Sequence, residues 1–315
     1  MYEEHFGLRE KPFSLIPDAD SVYFSEGHLS AFTMLEYGLL ESVGITLITG
    51  AVGAGKTTLI RHLLRRIDDS SLNIGLVNTT HTSYGSLLRW IVDAFGVELD
   101  GGDEGQMLQA LRSSLEESHE GGRRSVVIVD EAQNIVDDDL ESLRLLTNLN
   151  SDKRQLLQIV LVGQPELLTS FYNPTMSQLA QRVSAEYHLE PLSLSDTIRY
   201  VRHRMNAVGG GKDVFEANAL IAIYYYSGGI PRVINTLCDT GLVYAYAMSA
   251  KTVSIELIMG VVKNKQIGGI LREGLHSDEA RLSANAHIKK QLGIDLLEAV
   301  KPISLELTQG EQEIG

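Results

Sequence analysis

The sequence predicts an α/β fold in which a parallel β-sheet is flanked by helices, followed by a smaller domain built from helices alone. Over the first 190 residues, short apolar runs without period-2 alternation take turns with helical segments, as in parallel sheets covered on both faces. From about residue 194 the strand pattern disappears and helical periodicity continues. A chain of 315 residues has room for two domains at ~100–200 residues each.

Each predicted strand is a short apolar run, and a segment with helical spacing follows it. The strands are placed at 45–49, 73–78, 125–129 and 157–162, with a strand-like end at 187–189. The helices of the first half are placed at 28–42, 57–69, 84–96, 104–119 and 138–149. The helices of the second half are placed at 195–208, 215–226, 231–248 and 254–264. Such alternation predicts parallel strands joined by right-handed crossovers.

The same pattern divides the chain into four segments. Residues 1–30 are predicted to form a lead-in loop rich in aromatic residues, Pro and Gly, whose aromatic side chains need burial. Residues 31–192 form the α/β domain, and residues 193–265 form the helical domain. Residues 266–315 form a tail that carries one amphipathic helix near 277–299.

Composition and charge exclude several classes of protein. The net charge of −14 and the pI near 5.1 disfavour a protein held to nucleic acid mainly by phosphate contacts. The single cysteine, Cys238, excludes an internal disulfide framework and favours a reducing compartment. No apolar run approaches the ~18 residues of a membrane span, and the N-terminus lacks the features of a signal peptide. We therefore expect a cytoplasmic protein.

The clearest motif lies between the first strand and the helix that follows it. It matches G-x-x-x-x-G-K-[ST] in the strand–loop–helix context of a phosphate-binding loop. Glycines let the backbone N–H groups surround a phosphate, and the helix N-terminus adds partial positive charge. We expect Lys56 to reach the β- and γ-phosphates, Thr57 to bind Mg²⁺ and Thr58 to contact the α-phosphate. The loop consists of Gly50, Ala51, Val52, Gly53, Ala54, Gly55, Lys56 and Thr57.

A second motif supplies a pair of carboxylates. The apolar strand at 125–129 ends in Asp130 and Glu131. Beside a phosphate loop, Asp130 is expected to hold Mg²⁺, directly or through water. Glu131 is expected to act as the general base on the attacking water. The glutamate points to hydrolysis rather than to the transfer reaction of a nucleotide-binding kinase.

Three polar residues outside these motifs are further candidates, and each has a purely structural alternative. Gln164 follows the strand at 157–162, where it would orient water or merely form a Gln-Pro turn. Arg182 would reach the γ-phosphate of a neighbouring subunit, or it would pair with Glu186 on the surface. Arg232 starts a helix of the second domain, where it would face the nucleotide or simply lie on the surface.

Together these motifs resemble AAA+ ATPases, and in detail they resemble the ExeA/GspA branch. That branch includes the general-secretion-pathway A proteins and ATPases encoded with exosortase or exopolysaccharide systems. The resemblance covers about residues 1–265. It rests on Phe6–Phe13 (FGLREKPF), Pro17-Asp18, Gly50–Thr57, Val129–Asn134 (VDEAQN), Leu161–Leu167 (LVGQPEL), Gln181-Arg182 and Gly229–Asn235 (GIPRVIN).

The resemblance implies a P-loop AAA+ core with a parallel five-stranded sheet and a helical lid. It also implies a homo-oligomer, either a ring or a helical filament, that assembles with ATP and binds ATP and Mg²⁺ between subunits. Hydrolysis would be assisted by an arginine of the neighbour. Two roles stay open for Phe6–Phe13, namely contact with the adenine base and core packing. The matching positions are Lys56, Thr57, Asp130, Glu131, Gln164, Arg182 and Arg232.

Three functions fit these features. The first, which we predict, is an ATPase that drives or regulates assembly of a bacterial envelope secretion or export system. A protein partner would then hold it at the periphery of the inner membrane. The second is a DNA-binding regulator of the TnsC, TniB or MuB type, which the negative charge disfavours. The third is a nucleotide-switched scaffold that hydrolyses ATP slowly. Without a membrane-spanning run, the shorter exosortase-associated type is the expected match.

Overall fold

The chain divides into two compact units in the computed structural model. The P-loop unit consists of Ile16–Leu192 together with Ile230–Arg232, and the helical unit consists of Met1–Leu15, Ser193–Gly229 and Val233–Gly315. The structure describes residues 1–14, 23–40, 44–66, 71–78, 86–99, 101–135, 137–150, 154–173, 177–264 and 279–296.

The described residues of the P-loop unit form a five-stranded sheet in which all neighbours are parallel. Its strands are β1 (Ile45–Gly50), β2 (Leu72–Asn78), β3 (Arg124–Asp130), β4 (Leu157–Gly163) and β5 (Val183–Leu189). Their order across the sheet is β2-β3-β4-β1-β5. The predicted parallel sheet is therefore confirmed, and the bounds of the first four strands differ from prediction by one residue at most. β5 begins four residues before the predicted strand-like end at 187.

Within the described residues, helices occur at every segment where periodicity predicts one, and three short helices occur in addition. They are α1 (Tyr2–His5), α2 (Glu26–Leu40), α3 (Lys56–Arg66), α4 (Leu87–Ala94), α5 (Glu104–Glu120), α6 (Asp137–Thr147), α7 (Glu166–Phe171), α8 (Ser177–Ala180), α9 (Leu194–Ala207), α10 (Ala217–Ser227), α11 (Pro231–Ala247), α12 (Ile255–Asn264) and α13 (Glu279–Leu292). A 3-10 turn, Ala132–Asn134, follows β3 directly.

An apolar layer covers each face of the sheet. On β3, Val127 and Val129 join the layer formed with α4, α5 and α6, whereas Val126 and Ile128 join the layer formed with α2 and α3. Successive strand residues point to opposite faces, so a strand covered on both sides must be apolar at every position. This is why the central strands appear in the sequence as uninterrupted apolar runs.

The helical unit is organised around α10. This helix contacts α9, α12 and α13, and most of its residues are buried. A helix that is apolar on all sides is stable only when neighbours surround it. The sequence of α10, which carries no charged residue, therefore places it at the centre of this unit.

The N-terminal segment differs from the predicted lead-in loop. Residues Met1–Leu15 belong to the helical unit, and they begin with the short helix α1. Tyr2 is 2% exposed and its hydroxyl donates to Asp239 on α11, while Phe13 is 1% exposed and packs edge-on against Phe215. Burial of these two rings explains why the segment is ordered. It also commits Phe13 to core packing, one of the two roles left open for Phe6–Phe13.

Some predictions concern residues that the structure does not describe. Pro17-Asp18 and most of the tail at 266–315 lie outside the described ranges, although α13 falls within the helix predicted near 277–299. Among the helices in the described ranges, none combines the length and the hydropathy that crossing a membrane requires.

Candidate active site

Three neighbouring strands bring the candidate residues to one edge of the sheet. β3, β4 and β1 are adjacent and parallel, so their carboxyl ends lie side by side. β1 ends at Gly50 and leads into the phosphate loop, β3 ends at Asp130, and β4 leads into Gln164. Residues from three distant parts of the sequence thus meet at one place in the fold.

The phosphate loop has the backbone conformation that its glycines permit. Gly53 and Gly55 have φ angles of +80° and +107°, in a region that side chains with a Cβ rarely occupy. Inside the loop, the Ala54 N–H donates to the carbonyl oxygen of Ala51 at 3.1 Å. Helix α3 begins at Lys56, so its unpaired N–H groups and its dipole favour an anion at the loop.

Lys56 holds its ammonium inside the loop. Its Nζ donates to the carbonyl oxygens of Gly50 at 2.6 Å and Ala51 at 3.0 Å, and the residue is 7% exposed. Burial lowers the pKa of this ammonium, and the carboxylates of Glu131 and Asp130 oppose that shift. The carbonyl oxygens satisfy a charge that burial would otherwise make costly.

Asp130 and Thr57 form a direct pair next to the loop. Thr57 Oγ1 donates to Asp130 Oδ2 at 2.8 Å, and Asp130 is 6% exposed. Burial raises the pKa of the Asp130 carboxyl, while hydrogen bonds from Thr57 and from the backbone N–H of Glu131 oppose the shift. Hydroxyl and carboxylate oxygens are the ligand types that Mg²⁺ prefers, so the pair fits this ion.

Glu131 has an uncommon backbone conformation. Its φ of 56° and ψ of 36° lie in the left-handed region, which disfavours residues that carry a Cβ. Its backbone N–H donates to Asp130 Oδ1 at 2.9 Å, and its Oε2 accepts from Gln133 Nε2 at 2.8 Å. Non-glycine residues in such conformations concentrate at functional sites, where the surrounding structure over-determines them.

Arg232 lies against the phosphate loop. Residues Ile230–Arg232 belong to the P-loop unit, and the Arg232 N–H donates to the carbonyl oxygen of Gly53 at 3.2 Å. A Cβ on Gly53 would stand only 2.5 Å from the Cβ of Arg232. The absence of a side chain at Gly53 therefore allows the approach of Arg232.

Arg182 lies away from the other candidates. It precedes β5, whose first residue, Val183, pairs with Ile45 at the start of β1. The phosphate loop follows the other end of β1, and a strand of this length spans about 20 Å. The Arg182 guanidinium donates to Thr147 Oγ1 and, at 2.7 Å, to Asn148 Oδ1. Arg182 therefore lies about one strand length from the phosphate loop of the same chain.

Two residues at the site were not singled out from the sequence. His28 is 6% exposed, and its Nε2 lies 3.0 Å from the carbonyl oxygen of Ala54 in the loop. Since a carbonyl only accepts, Nε2 carries the proton and Nδ1 faces the Ser25 hydroxyl at 2.7 Å. Gln133 joins Glu131 to the turn at Gln164. A lone helical histidine gives no signal, whereas Gln133 stands inside the Asp-Glu-Ala-Gln stretch.

The sequence matches known proteins over both units. Residues 40–171 match the AAA domain family. The chain is 42% identical over 277 residues to general secretion pathway protein A of Aeromonas hydrophila, an alignment that covers 87% of this chain and 50% of that protein. The chain therefore spans about half the length of this relative.

Solved structures share the fold at low sequence identity. The Aeropyrum pernix ORC2 protein, in its ADPNP–ADP complexes, has a TM-score of 0.63 at 16% identity, covering 91% of this chain and 85% of that one. Cdc6p of Pyrobaculum aerophilum has a TM-score of 0.64 at 16% identity, covering 82% and 71%. The Aeropyrum pernix ORC1 protein in complex with DNA has a TM-score of 0.61 at 18% identity, covering 80% and 68%. At these identities the likeness establishes the fold.

Proposed function

The chain belongs to the ExeA/GspA-like AAA+ family, and from that premise we propose that it binds Mg-ATP and hydrolyses it to ADP and phosphate. The observation that carries the proposal is the joint placement of Lys56, Thr57, Asp130 and Glu131 at one edge of the sheet. Lys56 lies inside the loop, Thr57 contacts Asp130, and Glu131 follows at the open end of β3.

Binding would exchange protein contacts for phosphate contacts. The Lys56 ammonium, which donates to Gly50 and Ala51, would turn toward the β- and γ-phosphate oxygens, because anionic acceptors bond more strongly than carbonyls. The N–H groups of the loop and of the first turn of α3, including that of Thr58, would donate to the remaining phosphate oxygens.

Thr57 and Asp130 would hold the magnesium ion. Both present oxygen atoms, and their side chains already meet at 2.8 Å. When bound, the ion supplies positive charge that offsets the charge of the phosphates. Burial raises the pKa of the Asp130 carboxyl, and the charge of a bound cation would oppose that shift.

Hydrolysis would use Glu131 as the base and three polar residues around the γ-phosphate. The Glu131 carboxylate would accept a proton from the attacking water, and Gln164 would orient that water. Arg232, which contacts the loop at Gly53, would neutralise charge on the γ-phosphate. Arg182, about one strand length from its own loop, would act on the nucleotide of a neighbouring subunit, so activity would require a homo-oligomer.

We further propose that this ATPase drives or regulates assembly of a bacterial envelope secretion or export system through a protein partner. The support is the 42% identity to a general secretion pathway protein, shared over half of that protein's length. The partner would hold a cytoplasmic chain at the inner membrane. A DNA-bound regulator is not proposed, because the likeness to the ORC1 protein in complex with DNA shows the fold alone.

The first experiment measures the ATPase rate and the particle mass of the purified chain at one near-physiological salt concentration. Samples with and without Mg²⁺, ATP and double-stranded DNA are compared. Mg²⁺-dependent hydrolysis with an ATP-driven rise in mass, both indifferent to DNA, is the expected result. Absence of Mg²⁺-dependent hydrolysis under every condition would overturn the proposal, and hydrolysis that requires DNA would favour the regulator.

The second experiment tests the role in secretion. The chromosomal gene is replaced by a Lys56→Ala version, and exported protein or polysaccharide is measured. Loss of export is expected, whereas Lys251→Ala, a change at an exposed lysine of the helical unit, should leave export at the wild-type level. Wild-type export in the Lys56→Ala strain would contradict a role in the envelope.

A further inference from the structure

The side chain of Gln133 spans the carboxyl ends of two adjacent strands. Its Nε2 donates to Glu131 Oε2 at 2.8 Å, beyond the end of β3. Its Oε1 accepts from the backbone N–H of Gln164 at 2.9 Å, beyond the end of β4. One amide therefore links the residue proposed as general base to the turn that carries the residue proposed to orient water.

The orientation of this amide follows from its partners. A backbone N–H can only donate, so the oxygen of the amide must face Gln164. The nitrogen must then face Glu131, whose ionised carboxylate can only accept. Exchanging the two ends would place a donor against a donor and an acceptor against an acceptor.

The backbone around Gln133 leaves room for its side chain. It lies in the 3-10 turn Ala132–Asn134, where Ala132 is fully buried. A Cβ at Gly163 would stand 3.0 Å from Gln133 Oε1 and 3.2 Å from Gln133 N. At Gly163, the last residue of β4, the missing side chain thus leaves space for the amide.

Glu131 needs contacts from its surroundings to keep its backbone conformation. Its backbone occupies the left-handed region with φ of 56°, which a residue with a Cβ adopts only when its surroundings impose it. With the backbone fixed there, the hydrogen bond from Gln133 Nε2 restrains the carboxylate of Glu131 through its Oε2.

We propose that Gln133 is a positioning residue that orients Glu131 for base catalysis and couples that orientation to the turn at Gln164. The proposal rests on the proposed ATPase function.

The test compares two substitutions of different chemistry. Gln133→Leu keeps the bulk of the side chain and removes both hydrogen bonds. Gln133→Glu keeps the acceptor for the Gln164 N–H and sets a carboxylate against that of Glu131. Both changes should lower the single-turnover rate of hydrolysis about 10- to 100-fold, the range for a misplaced catalytic group. Binding of a non-hydrolysable ATP analogue should stay within about twofold of wild type, because Gln133 contacts no loop residue in the bonds described.

A double substitution separates positioning from mere structural support. If Gln133 acts through the Glu131 carboxylate, Gln133→Leu should cause little further loss once Glu131→Gln is present. The proposal is overturned if Gln133→Leu lowers the hydrolysis rate by the same factor in wild type and in Glu131→Gln. It is also overturned if slow hydrolysis comes with weakened binding of the analogue, because either result shows a structural role. Gln291→Glu, at an exposed position on α13, controls for the added charge.

The outcomes keep the two proposals distinct. If wild-type protein does not hydrolyse ATP, the proposed function fails. If wild type hydrolyses ATP and both Gln133 variants match its rate, only the positioning role fails. Retained analogue binding shows in each variant that the P-loop unit is folded.

Discussion

Thr57 Oγ1 donates to Asp130 Oδ2 across 2.8 Å, although the two residues stand 73 positions apart in the chain. The contact arises because the phosphate loop leads from the end of β1 to the start of α3 while Asp130 ends β3, and only β4 separates these strands. The hydroxyl compensates part of the cost of burying the carboxylate. It also keeps both proposed magnesium ligands at one point.

The buried carboxylate of Asp130 should make this protein less stable at neutral pH. Burial raises the pKa of this carboxyl in the folded protein. The contribution of protonated Asp130 to the free energy of unfolding is therefore complete below 3.8, its pKa in the unfolded chain, and is lost as the pH rises through the folded pKa. Asp130→Asn removes the buried charge and keeps an acceptor for Thr57, but its amide nitrogen then faces the N–H of Glu131. The melting temperature at pH 7–8 should therefore rise, by less than removal of the charge alone would give. The gain should shrink toward pH 4, as measured by thermal unfolding without nucleotide and with a chelator.

The same substitution should remove Mg²⁺-dependent hydrolysis. Asp93→Asn, at an exposed residue of α4, serves as the control and should change neither melting temperature nor rate by much. A lower melting temperature for Asp130→Asn at pH 8 would contradict the argument that the buried charge is costly.

Gly53→Ala should lower the free energy of unfolding by more than the cost of its positive φ angle alone. An alanine with positive φ costs roughly 1–2 kcal/mol. The new Cβ would also stand 2.5 Å from the Cβ of Arg232, an overlap expected to cost a further ~1–3 kcal/mol. Gly96→Ala is the matched control, since Gly96 has φ of +68° and open space around its Cβ position. Urea unfolding measures the free energy lost in each variant. Equal losses in Gly53→Ala and Gly96→Ala would exclude the steric effect.

Glu131→Gln should separate binding from hydrolysis. The amide keeps the size of the side chain but cannot take a proton from water, so the rate should fall about 10²- to 10⁴-fold. ATP binding and ATP-driven assembly should persist, and the assemblies should last longer. Glu120→Gln, at an exposed residue ending α5, should match wild type. A normal rate for Glu131→Gln would remove this residue from the role of base, and output that survives in cells would favour the scaffold considered from the sequence.

Arg182 can be tested by mixing two inactive proteins. Lys56→Ala should lose ATP binding but keep Arg182, whereas Arg182→Ala should bind ATP normally and lose assembly-dependent hydrolysis. If Arg182 serves a neighbour, mixed oligomers will contain sites with an intact loop and an intact arginine, and hydrolysis will reappear. A mixture of Lys56→Ala with Glu131→Gln contains no complete loop and base in one subunit, so it should stay inactive. Unimpaired hydrolysis by assembled Arg182→Ala alone would disprove the assignment.

The strands of the sheet could be located from the sequence to the extent that they are buried. β1, β3 and β4 are covered on both faces and appear as apolar runs. β5 lies at the edge, and its stretch Val-Ser-Ala-Glu-Tyr-His-Leu mixes exposed polar residues with two buried apolar ones. A search for apolar runs therefore finds only the end of β5.

The parts of the candidate site that could be predicted are those whose residues lie next to one another in the sequence. The phosphate loop and the Asp130-Glu131 pair follow from strand ends and residue types. The Gln133 bridge depends instead on β3 and β4 being neighbours, and strand order cannot be read from the chain. Likewise, the approach of Arg232 to Gly53 appears only in three dimensions.

Along the chain, parts of the helical unit both precede and follow the main segment of the P-loop unit, Ile16–Leu192. This order has a consequence for biosynthesis. Tyr2 is synthesised long before its partner Asp239, which follows 237 residues later. The sheet of the P-loop unit is complete by Leu189, so it can form while the N-terminal rings still lack their cover. Phe13 gains its partner Phe215 before α11 is synthesised, and Tyr2 gains Asp239 only with α11, so the helical unit completes its fold after the sheet.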